Sequence, residues 1–130
     1  MPQNLKIEIP KMYRTLLNHL CEIERKVGGL EDFNKISRNI ERMKDAFRME
    51  LNPAEPDWEL YYEDPMGQPY NETRNDLDAN IAGDGTENLF VVDVIKPIIR
   101  YGNSRRGISR IVQKGVVIVT SNTKQKEKEK

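Results

Sequence analysis

Cysteine, histidine and tryptophan occur once each in this chain, as Cys21, His19 and Trp58. One cysteine excludes an intramolecular disulfide and a cysteine-rich metal site. One histidine with no thiolate cluster suggests no zinc centre, and His19 reads as a polar flank of a helix. Cys21 has no base at a telling spacing and reads as a helix-flank residue rather than a nucleophile. No apolar run nears the roughly 20 residues needed to cross a bilayer, and Lys6, Glu8 and Lys11 do not suit a signal peptide. The formal net charge is zero, so the average points to neither nucleic acid nor membrane. The expectation is a soluble, cytoplasmic protein with no cofactor, no metal and no membrane partner.

The zero average hides a segregation. Residues 52–95 hold eleven acidic side chains against one base, Arg74, whereas residues 96–119 hold six bases and no acid. Either the two segments neutralise each other within one small domain, or the basic one faces an acidic partner. With 37% apolar and 32% charged residues in 130, the chain suits a surface-rich shape better than a thick core.

Two helical seams come first. Tyr13, Leu16, Leu20, Ile23 and Val27 recur at spacings of three and four after Pro10, which suits a helix's first turn. Gly28-Gly29 costs about 2 kcal/mol relative to alanines in a helix interior. Beyond it Phe33, Ile36, Ile40, Met43 and Phe47 repeat the pattern one residue out of phase. Two helices, about 10–27 and 31–51, in an antiparallel hairpin account for the shift; one long helix kinked at the glycines is the alternative. Seams this narrow resemble coiled-coil contacts. They would be satisfied by a second copy, giving a four-helix bundle and a homodimer, or by packing on the strands that follow.

Asn52-Pro53-Ala54-Glu55-Pro56 stops the second helix. Trp58, Leu60 and Tyr62 alternate in a first strand, Asp57 to Glu63, and Pro65-Met66-Gly67 is a turn. Gln68 to Asn88 is polar and acidic and reads as loop, with a turn of helix at Asp76–Ile81. Asn88 to Thr120 is the richest stretch in β-branched residues. In it Phe90, Val92 and Val94 alternate with Val91, Asp93 and Ile95 in a strand that Pro97 ends or bulges. Ile98–Tyr101, Ile108–Lys114 and Val116–Thr120 are further strands, around a basic turn at Asn103–Gly107 and a joint at Gly115. The lysine–glutamate tail reads as disordered. The fold class is α+β: residues 1–51 a helical dimerisation region, 52–121 a small all-β domain, 122–130 the tail.

Catalytic patterns are weak. Asp76, Asp78, Asp84 and Glu87 do not match a calcium loop, and a β unit of this size offers no deep cleft for paired carboxylates. Arg105 and Arg106, with Arg100, Arg110, Lys114 and Tyr101, could make a small basic-aromatic patch. The neutral total argues against nucleic acid.

The order of elements resembles the GrpE family, the nucleotide-exchange factors of DnaK-type chaperones. Gly67-Gln-Pro-Tyr-Asn is similar to the family's glycine–variable–proline–aromatic–Asp/Asn start of the β domain, and Asp78-Ala79 to its later acidic-alanine pair. Phe90–Pro97 resembles its valine-rich strand and Ile111–Val119 its closing strand. Gln113-Lys114-Gly115 departs from the usual Arg-Pro-Ala, Arg74-Asn75 stands near a usual His, and the helical segment is shorter. The resemblance covers roughly residues 57–119. It implies a non-enzymatic factor that dimerises through helices and levers open a DnaK-type ATPase with its β domain, speeding ADP release. From charge and position, Arg100, Arg105, Arg106, Arg110 and Lys114 would be the contact surface. A dimeric adaptor for another partner, or a small nucleic-acid-binding β domain, are the alternatives.

Overall fold

Among residues 9–51 and 54–121, which the computed structural model describes, two helices precede seven strands. The lead-in at 1–8, the Asn52-Pro53 helix stop and the charged tail at 122–130 lie outside the described residues.

The glycine pair separates two helices rather than kinking one. Helix α1 (Lys11–Val27) ends where the Gly28 N–H donates to the Glu24 carbonyl (3.1 Å), and α2 (Phe33–Met49) follows after a turn over 28–32. The helices meet through an edge-on contact of Tyr13 with Phe47, ring centroids 6.1 Å apart, and through the Lys44–Glu24 ion pair.

The strands form two sheets. Strands β1 (Trp58–Glu63), β5 (Ile98–Asn103) and β6 (Ile108–Gln113) make an antiparallel sheet in the order β1-β5-β6. Strands β2 (Pro69–Tyr70), β4 (Leu89–Lys96), β7 (Gly115–Ser121) and β3 (Leu77–Ile81) make the other, in the order β2-β4-β7-β3. The chain changes sheets three times: between β1 and β2, at Pro97 between β4 and β5, and at Lys114 between β6 and β7. A proline that donates no ladder hydrogen bond is tolerated at such a corner. The Gln113 side chain ties the last two corners to α1: it donates to the Pro97 carbonyl (2.9 Å) and exchanges amide bonds with Asn18 (2.7 and 3.3 Å).

Each sheet has its own core. Leu77, Leu89, Val91, Val94, Val117 and Val119 of the four-stranded sheet cluster with Ile98. The three-stranded sheet offers Leu60, Ile99 and Tyr101 to Ile9 and Leu17, with Tyr13, Phe47, Trp58 and Tyr62 around them. Trp58, Leu60 and Tyr62 thus share the face that their alternation predicts. That face is covered by the chain's own helices.

Two expectations are corrected. Leu77–Ile81 is neither loop nor a turn of helix but a strand, pairing parallel to β7 from Leu77↔Gly115 to Ile81↔Val119. Leu-Asp-Ala-Asn-Ile has little intrinsic strand preference; pairing with a valine-rich neighbour supplies what propensity lacks. In β4 the simple alternation fails. Register shifts at Val91/Asp93 and Val94/Lys96 turn Val91 and Val94 inward together and leave Val92 and Ile95 exposed. An inserted residue reverses the facing of all that follow it.

Candidate functional site

The basic segment does not fold into one open patch. Arg100, in the middle strand of its sheet, bonds Glu63 and Asp76 (2.8 Å each). Arg74 grips the same Asp76 with both ends of its guanidinium (3.0 Å each) and reaches the Gln68 side chain and the Pro69 carbonyl. This Glu63–Arg100–Asp76–Arg74 chain joins the two sheets, since Asp76 immediately precedes β3. The Arg74 hydrogen bonds, with the charges of Arg74 and Arg100, hold the Asp76 carboxyl below the usual carboxylate range. Arg100 is therefore a structural cation, held between the sheets.

The other four candidate contact residues, Arg105, Arg106, Arg110 and Lys114, lie nearer solvent. Arg105 and Arg106 occupy the Ser104–Gly107 turn between β5 and β6, where Gly107 takes a positive φ of 65°. The Asn103 side chain caps that turn by accepting the Arg106 N–H (3.1 Å). Arg105 reaches Asp57 at 3.3 Å and Lys114 reaches Asp78 at 3.8 Å, both in exposed pairs. Exposed pairs contribute roughly 0–1 kcal/mol, so a partner's carboxylates could displace them. Arg110 lies exposed on β6. The acidic and basic segments neutralise each other in part, and a charged tip remains at the β5–β6 turn.

The helical seam divides. Leu20 and Ile40 are buried within the chain, Tyr13 and Phe47 pack on the three-stranded sheet, and Val27, Phe33 and Ile36 are half-buried. Leu16, Ile23 and Met43 stay 45–49% exposed. Met12, at the same spacing before Leu16, extends the uncovered stripe on α1.

Two features escaped sequence reading. Tyr62 of β1 donates its hydroxyl hydrogen bond to Glu24 of α1, and Lys44 of α2 both pairs with Glu24 and sits 5.3 Å from the centre of the Tyr62 ring. Burial and the Glu24 carboxylate push the Tyr62 hydroxyl's pKa up, so it remains a donor. Beside this latch is a cleft of about 470 Å³, lined by Leu17, Lys44 and Arg48 from the helices and by Leu60, Tyr62, Asn103, Ile108 and others from the sheet. No local motif announces either feature, because each joins residues far apart in sequence.

The remaining candidates separate. His19 is exposed on α1, and Cys21 is buried, its thiol pushed up to about 11 mainly by desolvation. Such a thiol is unreactive. Asp78, Asp84 and Glu87 are exposed, whereas Asp76 is buried in its ion pairs. Among the described residues, no group of three or more His, Cys, Asp and Glu gathers as metal ligands, and no helix is long and apolar enough to cross a membrane. Comparison with protein-family models, with curated proteins and with solved structures found no match to this chain.

Proposed function

We propose that this protein is a non-enzymatic, cytoplasmic chaperone cofactor of the GrpE kind. Two copies join through their helices and present their strands to a DnaK-type ATPase, promoting ADP release. One observation carries the reading. Segments that individually resemble that family, scattered between residues 67 and 119, lie together in the four-stranded sheet: Gly67–Asn71 around β2, Asp78-Ala79 in β3, Phe90–Lys96 as β4, and the end of Ile111–Val119 in β7. Short motifs spread along a chain become one recognisable unit when they share a sheet.

Such a factor works by binding the ATPase's open nucleotide lobe more tightly than the closed one, which shifts the population towards release. Arg105, Arg106, Arg110 and Lys114 are the contact residues in this reading, with Arg100 holding the sheets behind them. The uncovered Leu16, Ile23 and Met43 supply the contact between copies. Trp58 and Tyr101 stack on each other, centroids 5.0 Å apart, and Tyr101 is buried. That occupies aromatic faces a nucleic-acid site would need for bases.

The deciding experiment is stopped-flow release of labelled ADP from a DnaK-type ATPase of the same cell. Acceleration at micromolar protein, diminished by Arg105→Glu with Arg106→Glu, is the expected result. No acceleration by a protein that still dimerises would discard the exchange-factor reading in favour of an adaptor serving another partner.

A further inference from the structure

The cleft between the helices and the three-stranded sheet has two properties that its structural role does not use. Its floor is apolar: Leu17 and Leu60 are buried, with the half-buried Tyr62 and the exposed Ile108 beside them. Its volume, about 470 Å³, falls in the range of small-molecule pockets, which combine mostly apolar walls with a few convergent polar groups.

The polar groups are selective. Asn103 is only 4% exposed and lines the cleft. Its Oδ1 accepts the Arg106 N–H, which fixes the amide's orientation and leaves the Nδ2 hydrogens on the other side. Those donors have no acceptor among the described residues. A buried amide donor without an acceptor is unfavourable because its lost hydration is not replaced, so the site favours whatever brings an acceptor to it. Two cations, Lys44 and Arg48, stand one helical turn apart on the α2 wall against one carboxylate, Glu59. Lys44 is held by Glu24 and Glu41 at 3.2 and 3.3 Å, but Arg48 touches Asp45 and Glu41 only at 3.6 and 4.0 Å. Its planar guanidinium suits two-pronged recognition of a carboxylate.

We infer that this cleft binds a small apolar carboxylate, its hydrocarbon or aromatic body over Leu17, Leu60 and Tyr62 and its carboxylate shared between Asn103 Nδ2 and Arg48. The inference stands apart from the exchange-factor reading, since none of Arg105, Arg106, Arg110 and Lys114 lines the cleft. It also links α2 to the β5–β6 hairpin through one ligand.

The test uses the full chain with decanoate below its micellar concentration, followed by calorimetry and amide chemical shifts. The expected result is saturable binding with shifts at Leu60, Gly102, Ser104, Gly107 and Ser109. Decanol and decylamine should bind at least tenfold more weakly, because decanol offers only one neutral acceptor oxygen and protonated decylamine offers none, whereas Arg48 and Asn103 select an anionic pair of oxygens. Asn103→Asp keeps the oxygen that caps the turn but replaces the donor; it should abolish binding, and Arg48→Met should weaken it severalfold. Glu59→Gln removes the opposing charge and should tighten it. Decanol binding as well as decanoate, or shifts on another surface, or no saturation in the millimolar range would each overturn the proposal with no variant needed. Unchanged affinity in a folded Asn103→Asp protein would overturn the assigned role of the amide.

Discussion

Asp76 meets two arginines that arrive from different directions, Arg74 from its own loop and Arg100 from the opposite sheet. Replacing it by asparagine leaves the Arg74 guanidinium without its carboxylate and Arg100 with Glu63 alone, both groups about one-fifth exposed. Removing one partner of a fully buried pair costs about 3–5 kcal/mol; with this residual exposure Asp76→Asn should cost roughly 2–3 kcal/mol at neutral pH in urea unfolding. The pH dependence follows from the depressed carboxyl. Its stabilisation is complete above the unfolded value of about 3.9 and is lost as pH falls through the lower folded value. The gap between wild type and Asp76→Asn should therefore narrow on acidification below pH ~4; a constant gap would mean the carboxylate's charge does not matter. Gly115 bears on family likeness at the same scale. A Cβ there would lie 2.8 Å from Leu77 Cδ2 and 3.0 Å from Ile98 Cγ1. Gly115→Ala, which introduces the residue that the GrpE pattern has at the similar place, should thus cost about 1–3 kcal/mol by overpacking. An equal or higher midpoint for the alanine variant would show that Leu77 and Ile98 yield freely.

At the scale of elements, α1 shows how far periodicity reads. Its spacing correctly gives a helix, and the change of phase across Gly28-Gly29 correctly gives a second one. What periodicity cannot give is the identity of the neighbour. Leu17, which is not one of the seam residues, is 1% exposed and packs with Leu60 and Tyr101, whereas Leu16 and Ile23 from the seam itself look outward. Strand β1 was legible because its alternation is intact; β3 was not, because its pairing depends on β7 rather than on its own residues. The β4 bulges, the Asp76 hub and the Asn103 donor were equally hidden, since each is defined by groups that only the fold brings together. A pair of variants turns the division of α1 into numbers. Leu17→Ala should cost about 2–5 kcal/mol, as for a buried leucine. Leu16→Ser with Ile23→Ser should change monomer stability by no more than about 1 kcal/mol, since exposed substitutions lie within about ±0.5 each. The same double variant should abolish self-association in sedimentation; a wild-type chain that stays monomeric at all concentrations would remove the dimer.

For the molecule as a whole, the question is whether residues 1–51 and 52–121 are separate bodies. The chain order suggests it, while the second core joins residues of both parts. Ile9, Leu17, Tyr13 and Phe47 of the helical part share one cluster with Leu60, Ile99 and Tyr101 of the sheet, and Tyr62 and Glu24 bond across the boundary. Unfolding of the helical part would expose the apolar face of the three-stranded sheet, so the expectation is that both parts lose stability together, as a two-state chain does. Two probes can follow the parts separately in one urea titration. Far-UV circular dichroism reports mainly α1 and α2, and the lone Trp58, stacked on Tyr101, reports the sheet by fluorescence. The midpoints should coincide, and Leu17→Ala should move both by the same amount. A helical transition that precedes the Trp58 transition, with the sheet still folded after it, would establish two independent units and return the helices to the role of a detachable dimerisation arm.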